Sequence, residues 1–136
     1  MKLEGKVAYI TGGTKGIGYG IAESLLEQGM KVAISGRSQE SADEAVKSLN
    51  KPDKVLGLAS DVSKLDDEKK AVAAILDKWG QLDVVMANAG VGHFAPIDEL
   101  EDEKWHQMIN TNLNGVYHTL KASVDALKKS EGYYMT

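Results

Sequence analysis

The sequence contains no cysteine. Disulfides, thiolate metal sites and a cysteine nucleophile are therefore excluded, and the composition suits a reducing compartment. No apolar run approaches the roughly 20 residues that a membrane-spanning helix needs. The start, Met1-Lys2-Leu3-Glu4-Gly5-Lys6, carries no apolar signal core. Low-complexity segments and solenoid-type repeats are absent. So is a basic excess: the net charge is −4, which gives a nucleic-acid partner no support. His93, His106 and His118 show no metal-ligand spacing, so no metal is assigned. There is no Gly-x-Ser-x-Gly nucleophile elbow and no Gly-Lys-Ser/Thr of a nucleotide triphosphatase. Together these absences lead us to expect a cytoplasmic protein with a small-molecule partner, no membrane and no nucleic acid. What remains is 136 residues with 43% hydrophobic and 26% charged side chains, enough for one domain with a real core.

One stretch organises that domain. Val7-Ala8-Tyr9-Ile10 reads as a buried parallel strand, and apolar residues return at helical spacing from Ile21 to Leu26. Between them lies Thr11-Gly12-Gly13-Thr14-Lys15-Gly16-Ile17-Gly18, a glycine-rich strand-to-helix turn. Glycine permits the tight turn and removes the Cβ that would keep a pyrophosphate away from the backbone. The N–H groups and dipole at the start of the next helix attract phosphate charge. Gly12, Gly13, Thr14, Lys15, Gly16, Ile17 and Gly18 are therefore candidate dinucleotide-binding residues.

The rest of the chain alternates strand and helix, which predicts a Rossmann-type α/β fold: a doubly wound parallel sheet with helices on both faces. Strands are expected at about Lys6–Ile10, Lys31–Ser35, Lys54–Ala59, Leu82–Ala87 and Gly132–Thr136. The first helix spans about Gly16–Gln28 and stops at Gly29. Ser38 reads as the N-cap of the second, which ends near Asn50, and Ser63 as the cap of the third, which reaches Trp79 with Gly80 behind it. One long helix is expected over about Glu101–Lys129. Right-handed crossovers place the first strand centrally and the glycine turn at the carboxyl edge of the sheet, where ligands bind in such folds. Residues 1–136 are read as one dinucleotide-binding domain whose sheet is cut in strand five.

The end of the second strand bears on the cofactor. An acid there binds a ribose 2′-hydroxyl, whereas an arginine accommodates a 2′-phosphate. The sequence reads Ser35-Gly36-Arg37-Ser38, with no acid. Arg37 offers a planar fork suited to phosphate, and Lys15 adds a second cation in the glycine turn. NADP(H) is thus favoured over NAD(H). The missing acid also weakens a methyltransferase reading.

Four motifs in order resemble the short-chain dehydrogenase/reductase family. Thr11-Gly12-x-x-x-Gly16-x-Gly18 is similar to that family's cofactor signature. Asp61-Val62 resembles the pair that holds the adenine. Ala87-Asn88-Ala89-Gly90 resembles its Asn-Asn-Ala-Gly, with Ala87 in place of the first asparagine. Asn110-Thr111-Asn112-Leu113-Asn114-Gly115 resembles the segment that contributes the catalytic asparagine, at Asn112. The resemblance implies cofactor contacts at Asp61, Val62, Asn88, Ala89 and Gly90, with Asn88 also steadying the central strands. It implies hydride transfer between nicotinamide and a carbonyl or secondary alcohol, with Asn112 organising a water or backbone contact. By sequence physics alone, Asp61 could be only a helix-entry acid, Asn88 a turn residue and Asn112 a solvated helix position.

The family's serine, and its tyrosine with a lysine four residues later, lie beyond the fifth strand. The sequence given stops at Thr136, so we expect the cofactor-binding half of a larger oxidoreductase, inactive by itself, whose complete form is a dimer or tetramer. A non-catalytic NADP(H)-binding module or sensor is the alternative. Tyr117-x-x-x-Lys121 satisfies the spacing, but lies upstream of strand five and reads as a helix-surface pair.

Overall fold

A computed structural model describes residues 2–136. Five strands, β1 (Val7–Thr11), β2 (Lys31–Gly36), β3 (Val55–Ala59), β4 (Val84–Met86) and β5 (Tyr133–Met135), form one sheet in the order β3-β2-β1-β4-β5. Every neighbouring pair is parallel. The expected Rossmann-type architecture is therefore present, with β1 at its centre. Parallel neighbours cannot be joined by hairpins, so each connection carries a helix. These are α1 (Gly16–Glu27), α2 (Gln39–Leu49), α3 (Leu65–Trp79), α4 (Asp102–Met108) and α5 (Gly115–Ser130).

The pleat of β1 divides the core. Ala8 and Ile10 pack with Ala22 and Leu26 of α1 and with Ala45 and Leu49 of α2. Val7 and Tyr9 face the other way, into Ala71, Val72 and Ile75 of α3 and Leu127 of α5. Alternate residues of a strand point to opposite faces, so a central strand flanked by helices on both sides must be apolar throughout. All five β1 residues are buried.

Three expectations are corrected. The β4 strand, Val84–Met86, is shorter than Leu82–Ala87; just before it, Asp83 Oδ2 accepts the Val7 N–H at 2.9 Å. The cap of α3 is Lys64, which makes no side-chain capping bond. Ser63 instead donates its N–H and its hydroxyl to Asp61 Oδ1, at 3.0 and 2.7 Å. The long helix runs on from Asp102 to Ser130 but is not α-helical throughout, since a π-helical turn over Ile109–Asn114 separates α4 from α5. By contrast, Ser38 caps α2 as expected, accepting the Ser41 N–H at 3.2 Å. Gly29 and Gly80 end α1 and α3 with positive φ.

A polar knot lies inside the α3/α5 face. Glu68 of α3 is fully buried. Its Oε2 accepts from the Tyr9 hydroxyl at 2.7 Å and the Ser60 hydroxyl at 2.6 Å, and its Oε1 from Thr119 of α5 at 2.6 Å. Nearby, the Tyr134 hydroxyl donates to the Val116 carbonyl at 2.6 Å. Burial, then the Glu68 charge, pushes the Tyr134 hydroxyl up to about 12. Burial and Glu68 also raise Tyr9 well above its ordinary range. The folded protein thus holds these protons where an unfolded chain, titrating near 10, releases them. Linkage then favours the unfolded state as pH rises from about 10. Denaturant melts should lose stability across pH 10–12, and Tyr134→Phe should shrink that loss; an unchanged slope refutes the account.

Candidate functional site

The carboxyl ends of β1, β2, β3 and β4 open onto a cleft of about 1160 Å³. Its wall contains Gly12, Thr14, Lys15, Gly16 and Ile17 of the glycine turn, Arg37 after β2, Asp61 and Val62 after β3, and Asn88, Ala89 and Gly90 after β4. Four stretches singled out separately in the sequence therefore meet at one place.

The turn owes its path to glycine at two points. Gly12 has φ +64°, and a Cβ there would stand 2.9 Å from the Ala89 Cα. The β1 and β4 loops can approach this closely only without that carbon. Gly16 has φ +60° with open space around it, so the requirement there is conformational alone. Gly13 and Gly18 are buried and do not line the cleft. A Cβ on Gly13 would meet Ile34 of β2 at 2.7 Å. A Cβ on Gly18 would meet Asn88 Nδ2 and the Gly12 carbonyl oxygen, both at 2.5 Å. These two glycines pack α1 and its turn onto the sheet.

The floor is a hydrogen-bonded seam between the ends of β1 and β4. Thr11 Oγ1 accepts the N–H groups of Asn88 and Ala89, each at 3.0 Å. Asn88 Nδ2 donates to the carbonyls of Thr11 and Gly12, at 3.1 and 3.3 Å. Without these contacts both loops would carry unpaired polar groups at a half-buried site. Thr11 was not singled out as a site residue in the sequence, although it opens the glycine signature and ends a buried strand.

No side chain caps α1, and its first turn has no acid. By contrast, α3 starts with Asp66, Asp67 and Glu68. The positive end of the α1 dipole is thus left without an anionic side chain, next to Lys15. Asp61 supplies the opposite charge across the cleft. Burial pushes its carboxyl up, but the Ser63 hydroxyl and N–H, with the Lys64 and Arg37 charges, outweigh this and hold it below its ordinary value.

Asn112 lies on the π-helical turn and is not part of the cleft wall. Its Oδ1 accepts the Val91 N–H at 2.8 Å, and its Nδ2 donates to the Val91 carbonyl at 2.7 Å. Both ends of the amide hold the backbone one residue past Gly90. A π-helical turn carries an extra residue, so side chains after it are rotated by about 100° from their α-helical phase. Periodicity gave no warning of it. The wall also includes Ser60 and, from α4 and the π turn, Glu103, His106, Gln107, Asn110 and Thr111, which sequence reasoning did not single out for the site. Tyr117 and Lys121 form the surface pair expected of them: exposed, outside the cleft, with Nζ 3.1 Å from the hydroxyl. Among the described residues no cluster of His, Asp and Glu could hold a metal, and no helix is long and apolar enough to cross a membrane.

Comparison with known proteins matches this geometry to a family. A family model described as short chain dehydrogenase matches residues 6–133. The chain is 36% identical over 134 residues to dehydrogenase/reductase SDR family member 4 of Caenorhabditis elegans, covering 96% of this chain and 52% of that protein. Among solved structures it resembles a 3-ketoacyl-(acyl-carrier-protein) reductase from Brucella melitensis complexed with NADH (34% identity, TM-score 0.88, 93% of this chain and 52% of that one). It also resembles an alcohol dehydrogenase from the archaeon Thermococcus sibiricus complexed with 5-hydroxy-NADP (39% identity, TM-score 0.85, 96% and 57%). The chain spans about half the length of the curated relatives it matches.

Proposed function

Since the chain belongs to the short chain dehydrogenase family, we propose that it forms the cofactor-holding part of an NADP(H)-dependent oxidoreductase acting on a carbonyl or secondary alcohol. One observation carries the cofactor choice. Lys15 and Arg37 both line the cleft, and no acid stands at the end of β2 to receive a ribose 2′-hydroxyl.

The residues fit such a cofactor. The glycine turn and the start of α1 would take the pyrophosphate, with backbone N–H groups and no competing acid. Arg37 and Lys15 would take the 2′-phosphate, Asp61 and Val62 the adenine, and Asn88, Ala89 and Gly90 the ribose on the nicotinamide side. Gly13 and Gly18 would contribute by packing rather than by contact. When bound, the nicotinamide supplies hydride to a carbonyl or takes it from an alcohol. Asn112 is a positioning residue in this reading: its amide fixes Val91 and so the loop beside Gly90. Trp105, Leu113, Tyr117 and Leu120, exposed along α4, the π turn and α5, support self-association through this face.

Fluorescence titration tests the reading. NADPH should bind at least about tenfold more tightly than NADH, a gap of about 1.4 kcal/mol. The full-length protein should consume NADPH with a member of a carbonyl panel. Failure to bind NADPH overturns the proposal; binding without turnover would favour a sensor.

A further inference from the structure

Glu68 occupies the first turn of α3, where acids ordinarily sit in water and favour the helix dipole. Here its side chain is fully buried, and neither of the two ion pairs among the described residues involves it. A buried carboxyl is expensive unless hydroxyls or N–H groups satisfy it. Three hydroxyls do so, each from a different element: Tyr9 from β1, Thr119 from α5, and Ser60 from the turn after β3.

The three partners are not equivalent. Tyr9 also bonds Ser35 Oγ at 3.1 Å, and Thr119 also bonds the Gly115 carbonyl at 2.9 Å. The Ser60 hydroxyl donates to Glu68 at 2.6 Å, with the Tyr9 hydroxyl, itself bonded to the same oxygen, as its other polar neighbour. Ser60 is also the member that lines the cleft, immediately before Asp61 and Val62. If Glu68 were removed, Tyr9 and Thr119 would keep the partners they already have, and Ser60 would lose its charge-assisted bond. We propose that Glu68 is a positioning residue for the adenine end of the cleft, acting through Ser60 to fix the Asp61–Val62 shelf. This rests on the dinucleotide reading of the cleft.

The other side of the shelf is held independently. His118 of α5 donates Nδ1–H to the Val62 carbonyl at 2.8 Å, and a Cβ on Gly115 would come within 2.6 Å of the Val62 side chain. The near end has its backbone bonds, Ser60 N–H to the Gly36 carbonyl at 2.9 Å and Asp61 N–H to Asp67 Oδ2 at 3.0 Å, and Glu68 adds the tie to the Ser60 side chain. Hydrogen-bond counting distinguishes two substitutions. Four hydroxyl protons serve five contacts in the knot. Glu68→Gln keeps an acceptor for Tyr9 and Ser60, and its amide can donate to Thr119, freeing Thr119 to donate to Gly115. Glu68→Leu keeps the bulk and removes every bond.

The test is a binding comparison with AMP, nicotinamide mononucleotide and NADPH on the full-length protein, well below its melting temperature. Glu68→Leu should weaken AMP and NADPH by about tenfold, the scale of one lost buried bond to a carboxyl group, and leave nicotinamide mononucleotide within about twofold. Glu68→Gln should restore AMP binding. In a Ser60→Ala background, Glu68→Leu should add less than about twofold, because its route is already cut. Equal losses for AMP and nicotinamide mononucleotide, or AMP binding unchanged, would overturn the proposal. Should Glu68→Leu not fold, Ser60→Ala decides alone: it must weaken AMP selectively. If the unaltered protein bound neither AMP nor NADPH, the dinucleotide reading itself would fall instead.

Discussion

Arg37→Asp should weaken NADPH binding by about 100-fold, close to 2.7 kcal/mol, while NADH affinity changes less than about threefold. Two effects add for NADPH. The charge-assisted, two-pronged bonds that a guanidinium offers a phosphate are lost. A carboxylate then faces the dianionic 2′-phosphate across the same short distance, and opposite signs become like signs. NADH has no phosphate there, and an acid at the end of β2 can accept its ribose 2′-hydroxyl. Arg37 is exposed, so the substitution should leave the melting temperature nearly unchanged. Lys15→Ala should act in the same direction but less strongly, because no repulsion is introduced. Salt separates the causes: the NADPH loss should shrink in high salt, where exposed charges are screened. Titration of both cofactors against both variants decides the matter. Equal losses for NADPH and NADH would mean that Arg37 does not face the 2′-position, and the cofactor assignment would fail with it.

The same residues show why part of the site was legible in the sequence and part was not. Arg37 could be placed because a short apolar strand ends just before it, and strand ends share one edge of a parallel sheet. The glycine turn was found the same way, as the residues after an apolar run, whereas Asp61-Val62 and Asn88-Ala89-Gly90 were singled out by their resemblance to a family's motifs. The strands themselves were recognisable because every central strand of a two-faced sheet must be apolar on both sides. What escaped was set by side chains acting across the fold. Asp83, just before β4, gives its carboxylate to Val7, a partner 76 residues away. Asn112 anchors the π-helical turn to Val91, 21 residues away, whereas a helical pattern reports only neighbours three and four apart. Glu68 passed without notice in the sequence because its hydroxyl partners come from three other parts of the chain. A local pattern cannot register a requirement that only the assembled fold imposes.

Gly18 tests that distinction most sharply, since its motif suggests a phosphate contact while its surroundings demand packing. Gly18→Ala should destabilise the protein by roughly 2–4 kcal/mol, as overpacking next to a disrupted hydrogen bond does. The added carbon would lie 2.5 Å from Asn88 Nδ2 and 2.5 Å from the Gly12 carbonyl oxygen. Asn88 could swing aside, at the expense of its bonds to Thr11 and Gly12. The Gly12 oxygen is backbone and cannot move without distorting the turn itself. Asn88→Ala should therefore fail to rescue Gly18→Ala. Gly20 lies two residues further along α1, with nothing within 4 Å of its would-be Cβ. Gly20→Ala should be neutral or stabilise by about 0.5–1 kcal/mol through helix propensity and a less flexible unfolded chain. Thermal melts of the two variants should thus move in opposite directions, the Gly18 variant falling by on the order of 10 °C. NADPH affinity should fall with Gly18→Ala, because the seam joining β1 to β4 is the floor under the glycine turn proposed to hold the pyrophosphate. A Gly18→Ala protein that melts normally but binds NADPH weakly would make this glycine a direct ligand contact and refute the packing role.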